Sequence, residues 1–115
     1  MDKVTIPTLD EFEGAIDILQ RAASAYYLYK GFTAGPATLA LGAMEELGEI
    51  AQALLLTTQS DYKLNQNSHK LDALDEMTDT PMEIGDCLTY LLHLANALGS
   101  TVRCKRIALF LAEEK

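Results

Sequence analysis

Two stretches of the chain are built alike, Glu46-Leu47-Gly48-Glu49-Ile50-Ala51-Gln52-Ala53-Leu54-Leu55 and Glu83-Ile84-Gly85-Asp86-Cys87-Leu88-Thr89-Tyr90-Leu91-Leu92. Each sets two acids three residues apart around a glycine and then runs into leucines. On a helix that spacing leaves both carboxylates on one face, one turn apart and about 60° from each other around the axis. Two such faces turned toward each other make a cage of four carboxylates from Glu46, Glu49, Glu83 and Asp86. No Lys or Arg lies between Gly31 and Ser60 or between Leu71 and Val102, so the neutralising charge must come from elsewhere. A hard divalent cation is the simplest supplier. An all-oxygen donor set favours magnesium (Mg2+), with manganese (Mn2+) able to replace it. A di-iron carboxylate bundle is the competing architecture, but it uses Glu-x-x-His pairs, and neither acid pair has a histidine at that spacing.

Helical glutamates are commonly just solvated, so each acid also has a plainer reading. Glu46 argues against it, because it shares its stripe with Leu39, Ala43, Ile50 and Ala53 and so projects from a surface that wants burial. Glu45 and Glu46 both neighbour Glu49 with no cation in the next turn, an arrangement that disfavours a helix by about 0.2–0.5 kcal/mol per like-charge pair. Glu83 is equally explained as the partner of Thr80 in a capping box. Asp86 is not, since it lies inside the helix where Asp is a poor helix former, on a row with Tyr90, His93 and Ala97. The opposite row, Ile84, Leu88, Leu91, Ala95 and Leu98, is apolar enough to account for packing. Gly48 and Gly85 each cost about 1 kcal/mol relative to alanine, which suits a close approach to the backbone by a ligand or by a crossing helix.

The elements that carry these residues are marked by their ends. Thr8 with Glu11 three residues on forms a capping box that starts a first helix running to about Tyr29, and Gly31 closes it. Gly35-Pro36 opens a second, which the spacing of Leu39, Ala43, Leu47, Ile50 and Leu54 carries to about Thr57. Thr58 to Thr78 is rich in Gln, Ser, Asn, Asp and Lys and reads as a long connection holding at most one short helix; loops of that length are usually functional. Thr80-Pro81-Met82-Glu83 starts a third helix that ends at Gly99, and a last one follows from about Thr101 to Glu113. No stretch alternates with period two, so the expected fold is all-α, a bundle of four main helices in one domain spanning residues 1–115. At 115 residues and 49% apolar composition such a domain can bury roughly 65% of its unfolded surface.

A formal net charge of −8 and a sequence pI near 4.5 argue against nucleic acid or an anionic membrane as partner. An anionic substrate would be repelled too, unless a metal mediates. Cys87 and Cys104 have no short-spaced Cys or His partners for zinc and read as reduced packing thiols of a cytoplasmic protein. Met1 to Asp10 lacks the pattern of a secretory signal, and no apolar run has the length of a membrane span.

Glu45-Glu46-x-x-Glu49 followed by Glu83-x-x-Asp86 resembles the EExxE…ExxD signature of the MazG-like, all-α nucleoside triphosphate pyrophosphohydrolases. The flanks agree, from Met44 to Glu49 before the first leucine run and from Asp86 to Gly99 after the second pair, and the likeness covers about Leu39 to Gly99. The resemblance implies magnesium-dependent hydrolysis of a nucleoside triphosphate between the α and β phosphates. By motif position it implies Glu46, Glu49, Glu83 and Asp86 as metal ligands, and Glu45 as the candidate that orients or deprotonates the attacking water. It also implies a homodimer or homotetramer in which the bundle is completed between subunits. Two departures bear on the substrate more than on the reaction: the connection from Ile50 to Met82 is longer than compact members have, and no tryptophan is available for a base pocket. A phosphoribosyl-ATP pyrophosphohydrolase is the alternative within the same chemistry. Outside it stands a helical oligomer that binds other proteins, its acids serving solubility or a structural cation.

With the cation holding the phosphates, basic residues outside the acid helices could grip the phosphate tail: Lys63, Lys70, Arg103, Lys105 and Arg106. Arg103 and Arg106 are the favoured pair, expected on one helical face just after the third helix. Tyr90, one turn past Asp86, is the candidate for touching the sugar or base, and equally reads as a half-buried core tyrosine. The cluster Tyr26, Tyr27, Tyr29 and Phe32 could stack on a base, but at the end of an amphipathic helix such a cluster is more often core or subunit interface.

Overall fold

Local signals set the ends of the helices. Thr8 Oγ1 accepts from the Glu11 amide at 3.0 Å while Glu11 Oε1 accepts from the Thr8 amide at 2.9 Å, so two orphan donors at the helix start are satisfied reciprocally. The computed structural model describes residues 4–58 and 80–113. Among them are four α-helices and no strand: α1 (Leu9–Lys30), α2 (Pro36–Thr58), α3 (Thr80–Ala97) and α4 (Lys105–Glu113). The expected long connection, its short helix, Lys63 and Lys70 lie outside the described residues. Gly31 ends α1 in the left-handed region at φ 72°, a conformation that carries no Cβ penalty in glycine. Tyr27 then donates its hydroxyl to the Ala34 carbonyl at 2.8 Å, pinning the short turn into α2.

Gly99 ends α3 in the same way, at φ 66°, with the Ser100 amide donating back to the Ala95 carbonyl at 2.9 Å. This turn delays the last helix, which begins at Lys105 and not near Thr101. Gln20 of α1 ties the turn down. Its amide nitrogen donates to Asn96 Oδ1 and to the Ser100 carbonyl, both at 2.9 Å, its carbonyl oxygen accepts from the Val102 amide at 2.8 Å, and Asn96 donates to the Gln20 backbone carbonyl at 3.1 Å.

Among the described elements α3 is the centre of the fold: α2 and α1 both pack on it, and α4 packs on α1. Helices α1 and α2 do not pack on each other. Leu39, Ala43, Ile50 and Ala53 of α2 are buried, the stripe that the 3.6-residue period marks out. On α3 the expectation fails. The apolar row meant for packing is open, with Ile84 54% and Leu98 61% exposed, while Leu92 and His93 face inward. Both α1 and α2 cover the row that carries His93, and no described element of the chain covers the other. No described helix is long and apolar enough to cross a membrane. Cys87 and Cys104 are free thiols; Cys87 lies 3.5 Å from the Ala43 carbonyl, at the α2–α3 contact.

Candidate metal centre

Packing α2 on α3 brings the two acid turns together. One carboxylate oxygen each from Glu46, Glu49 and Glu83 lies within 4.8 Å of the others, close enough for one ion to bridge them. Glu46 is half-buried because its stripe faces α3, Glu83 holds its Oε1 out of contact with solvent, and Glu49 is exposed. Asp86 is exposed and is not one of the three converging residues, but it shares with Glu46 the wall of one cavity.

The electrostatics follow from the crowding. The Glu46 carboxyl holds its proton to higher pH than an ordinary glutamate, first because partial burial disfavours its charge, then because the charges of Glu49, Asp86, Glu83 and Glu45 oppose it. Neither α2 nor α3 contains a Lys or Arg. Three carboxylate oxygens with no Lys or Arg on their own helices form a donor set that could hold a hard divalent cation.

Of the other expected residues, Glu45 is exposed beside Glu46, and Tyr90 is half-buried on the wall of the cavity that Glu46 and Asp86 share. Arg103 and Arg106 do not share a helical face: Arg103 precedes α4 and Arg106 sits in its first turn. The break after Gly99 is the physical cause, since no helix runs through 98–104 to set one register for both. Neither arginine lines the cavity. At Gly48 and Gly85 the crossing-helix reading fails, because a Cβ at either would meet nothing of the described chain within 4 Å. The close approach occurs at Gly42, where a Cβ would meet the Tyr90 ring, with Cδ1 at 2.7 Å and Cζ at 2.8 Å. The sequence hint was its place beside Ala43 and one turn before Glu46, on the buried stripe.

The cavity, about 700 Å³, opens between α1 and α2 over α3. Its aromatic wall is made by Tyr26, Tyr27 and Phe32, whose rings gather around His93 at centroid distances of 6.1, 5.0 and 6.4 Å. His93 is 6% exposed. Burial lowers its pKa below 6.5, so the imidazole is neutral at pH 7. Its Nδ1 is buried with no hydrogen-bond partner among the described residues, a condition that costs about 1–3 kcal/mol. The sequence signals of this chamber were the aromatic cluster at the end of α1 and a histidine in an apolar helical run.

No protein-family model matches the chain, and neither the curated proteins nor the solved structures include a significant match to it.

Proposed function

We propose that this chain is a magnesium-dependent nucleoside triphosphate pyrophosphohydrolase, converting a triphosphate and water to the monophosphate and pyrophosphate as a cytoplasmic house-cleaning enzyme. The observation that carries the reading is the convergence of Glu46, Glu49 and Glu83 beside a cavity large enough for a small ligand. Glu46, Glu49, Glu83 and Asp86 would hold the ion, and an acidic protein would thereby accept an anionic substrate. A divalent cation there would supply the positive charge against which phosphoryl oxygens and the attacking water are polarised. Glu45 would orient or deprotonate that water, and Tyr90 would touch the sugar or base.

The open apolar row on α3 supports a second part of the proposal, that two or four copies assemble along it. Ile84 to Leu98 spans about 21 Å of helix, an exposed stripe that a lone soluble domain has no use for. Arg103 and Arg106 would then reach a phosphate tail only across a subunit contact.

The test is a panel of nucleoside triphosphates, with phosphoribosyl-ATP included, assayed for pyrophosphate release with and without magnesium. Release with magnesium from a common or modified triphosphate is the expected result; preference for phosphoribosyl-ATP would move the reading to the biosynthetic relative, and orthophosphate alone would overturn both. Glu49→Gln should weaken magnesium binding at least about tenfold, measured by calorimetry, and abolish release. A wild-type magnesium response in Glu49→Gln and Asp86→Asn would dismiss the metal centre.

A further inference from the structure

A second space, about 290 Å³, lies between α1 and α3. One turn of each helix makes it: Ser24, Tyr27 and Leu28 on α1, and His93, Asn96 and Ala97 on α3. Both sets have the i, i+3, i+4 spacing that puts three side chains on one helical face. Tyr27 and His93 also line the larger cavity, so the two spaces share a wall. The groove is open because Ser24 and Ala97 are small where a close-packed core would place larger side chains. Polar groups are left over in it. The half-buried Ser24 hydroxyl forms no hydrogen bond among the described residues, and neither does the buried His93 Nδ1. Asn96 spends one N–H and one lone pair on Gln20, which fixes its amide and leaves one of each free. Among the described residues no Lys, Arg, Asp or Glu lines the groove.

We infer that the groove between α1 and α3 is a ligand site of its own, taking a small uncharged molecule with an apolar body and an amide or alcohol head. Tyr27, Leu28 and Ala97 offer the body apolar surface, while Ser24, Asn96 and His93 offer the head donors and acceptors. A charged head is refused, because burying it with no opposite charge costs more than neutral hydrogen bonds return. The volume stands at the lower edge of ligand cavities, roughly 300 Å³, so the occupant is the size of a single ring. An occupant also accounts for His93. A buried polar atom without a partner is rare in a finished core, and a turn of the imidazole about its Cβ–Cγ bond toward the groove would give Nδ1 one. His93 makes no hydrogen bond among the described residues that such a turn would break. The site needs neither a metal nor a triphosphate and is independent of the proposed reaction at the acids.

The experiment titrates the full chain, in chelator, with cyclohexanecarboxamide and with cyclohexanecarboxylate as its charged isostere, followed by NMR. The chain has two histidines, so the His93 imidazole gives one of only two such signals, and that signal should shift as the amide binds. Saturable binding at about millimolar concentration is expected for so small a ligand, with the carboxylate at least about tenfold weaker. Ser24→Leu, which fills the groove, should abolish binding, and Ser24→Ala should weaken it about fivefold. Thr89→Leu should leave it unchanged, because the exposed Thr89 lines the larger cavity and not the groove. Should Ser24→Leu fail to fold, Ala97→Leu fills the same space from an exposed position and decides the matter. No binding of the amide, equal binding of the carboxylate, or binding indifferent to the filling variants would each overturn the site. Loss of binding in Thr89→Leu would move the ligand to the larger cavity and overturn it too, and so would a groove closed by a second copy of the chain, which would exclude the amide.

Discussion

Gly42 and Tyr90 fix one another, and the pair shows how two small energies of opposite sign can be told apart. Alanine in place of a helical glycine gains about 1 kcal/mol, whereas forcing a Cβ into the Tyr90 ring costs about 1–3 kcal/mol. Gly42→Ala is therefore expected to lose about 1 kcal/mol net in denaturant unfolding, and in a Tyr90→Ala background the same change should stabilise. His93 gives a second expectation. Its folded pKa is lowered by burial, among Tyr26, Tyr27 and Phe32, so between that value and 6.5 the unfolded chain binds more protons than the folded one. Its contribution to stability is thus fully present above pH 6.5 and is lost as pH falls through the lowered folded value. Melting curves from pH 7.5 downward should show the slope in wild type and lose it in His93→Phe.

At the scale of elements, the joint between α1, α3 and the turn after Gly99 rests on Gln20. No apolar residue can replace its three side-chain hydrogen bonds, and their loss strands the Val102 amide and the Ser100 carbonyl. Gln20→Leu is expected to cost about 2–3 kcal/mol, read as a lower denaturant midpoint at unchanged slope. The capping box at Thr8 was legible because it is closed within four residues. The Gln20 joint was not, because its partners are 76 to 82 residues away and nothing in the local pattern pairs them. Helix α4 began late for a related reason: only the three-dimensional turn at Gly99 decides how many residues are spent before the next helix can start.

For the whole molecule, few of the described residues are buried, and among them none of the large side chains is fully enclosed. A chain with 49% apolar residues and open rows on α3 and α4, the latter through Ile107, Leu109 and Phe110, has hydrophobic surface to place elsewhere. Sedimentation should find a species at two or four times 12.6 kDa. Leu88→Glu with Leu91→Glu should shift it to a single chain mass, since a buried unpaired charge opposes assembly.

The spacing of residues along each helix was enough to determine the all-α class, the starts of α1 and α2, the glycine stops, and the stripe on which Glu46 stands among Leu39, Ala43, Ile50 and Ala53. These follow from interactions within a few residues and from a period that any helix imposes. Only the tertiary structure decided that α3 turns its His93 row inward and its Ile84 row out, that Tyr90 lies on Gly42, that Glu83 meets Glu46 and Glu49, and that Arg103 and Arg106 stand apart from the cavity. Helix α3 carries two faces that could each be buried, and the choice between them depends on where α1 and α2 come to rest, which is a property of the assembled chain and of no single segment.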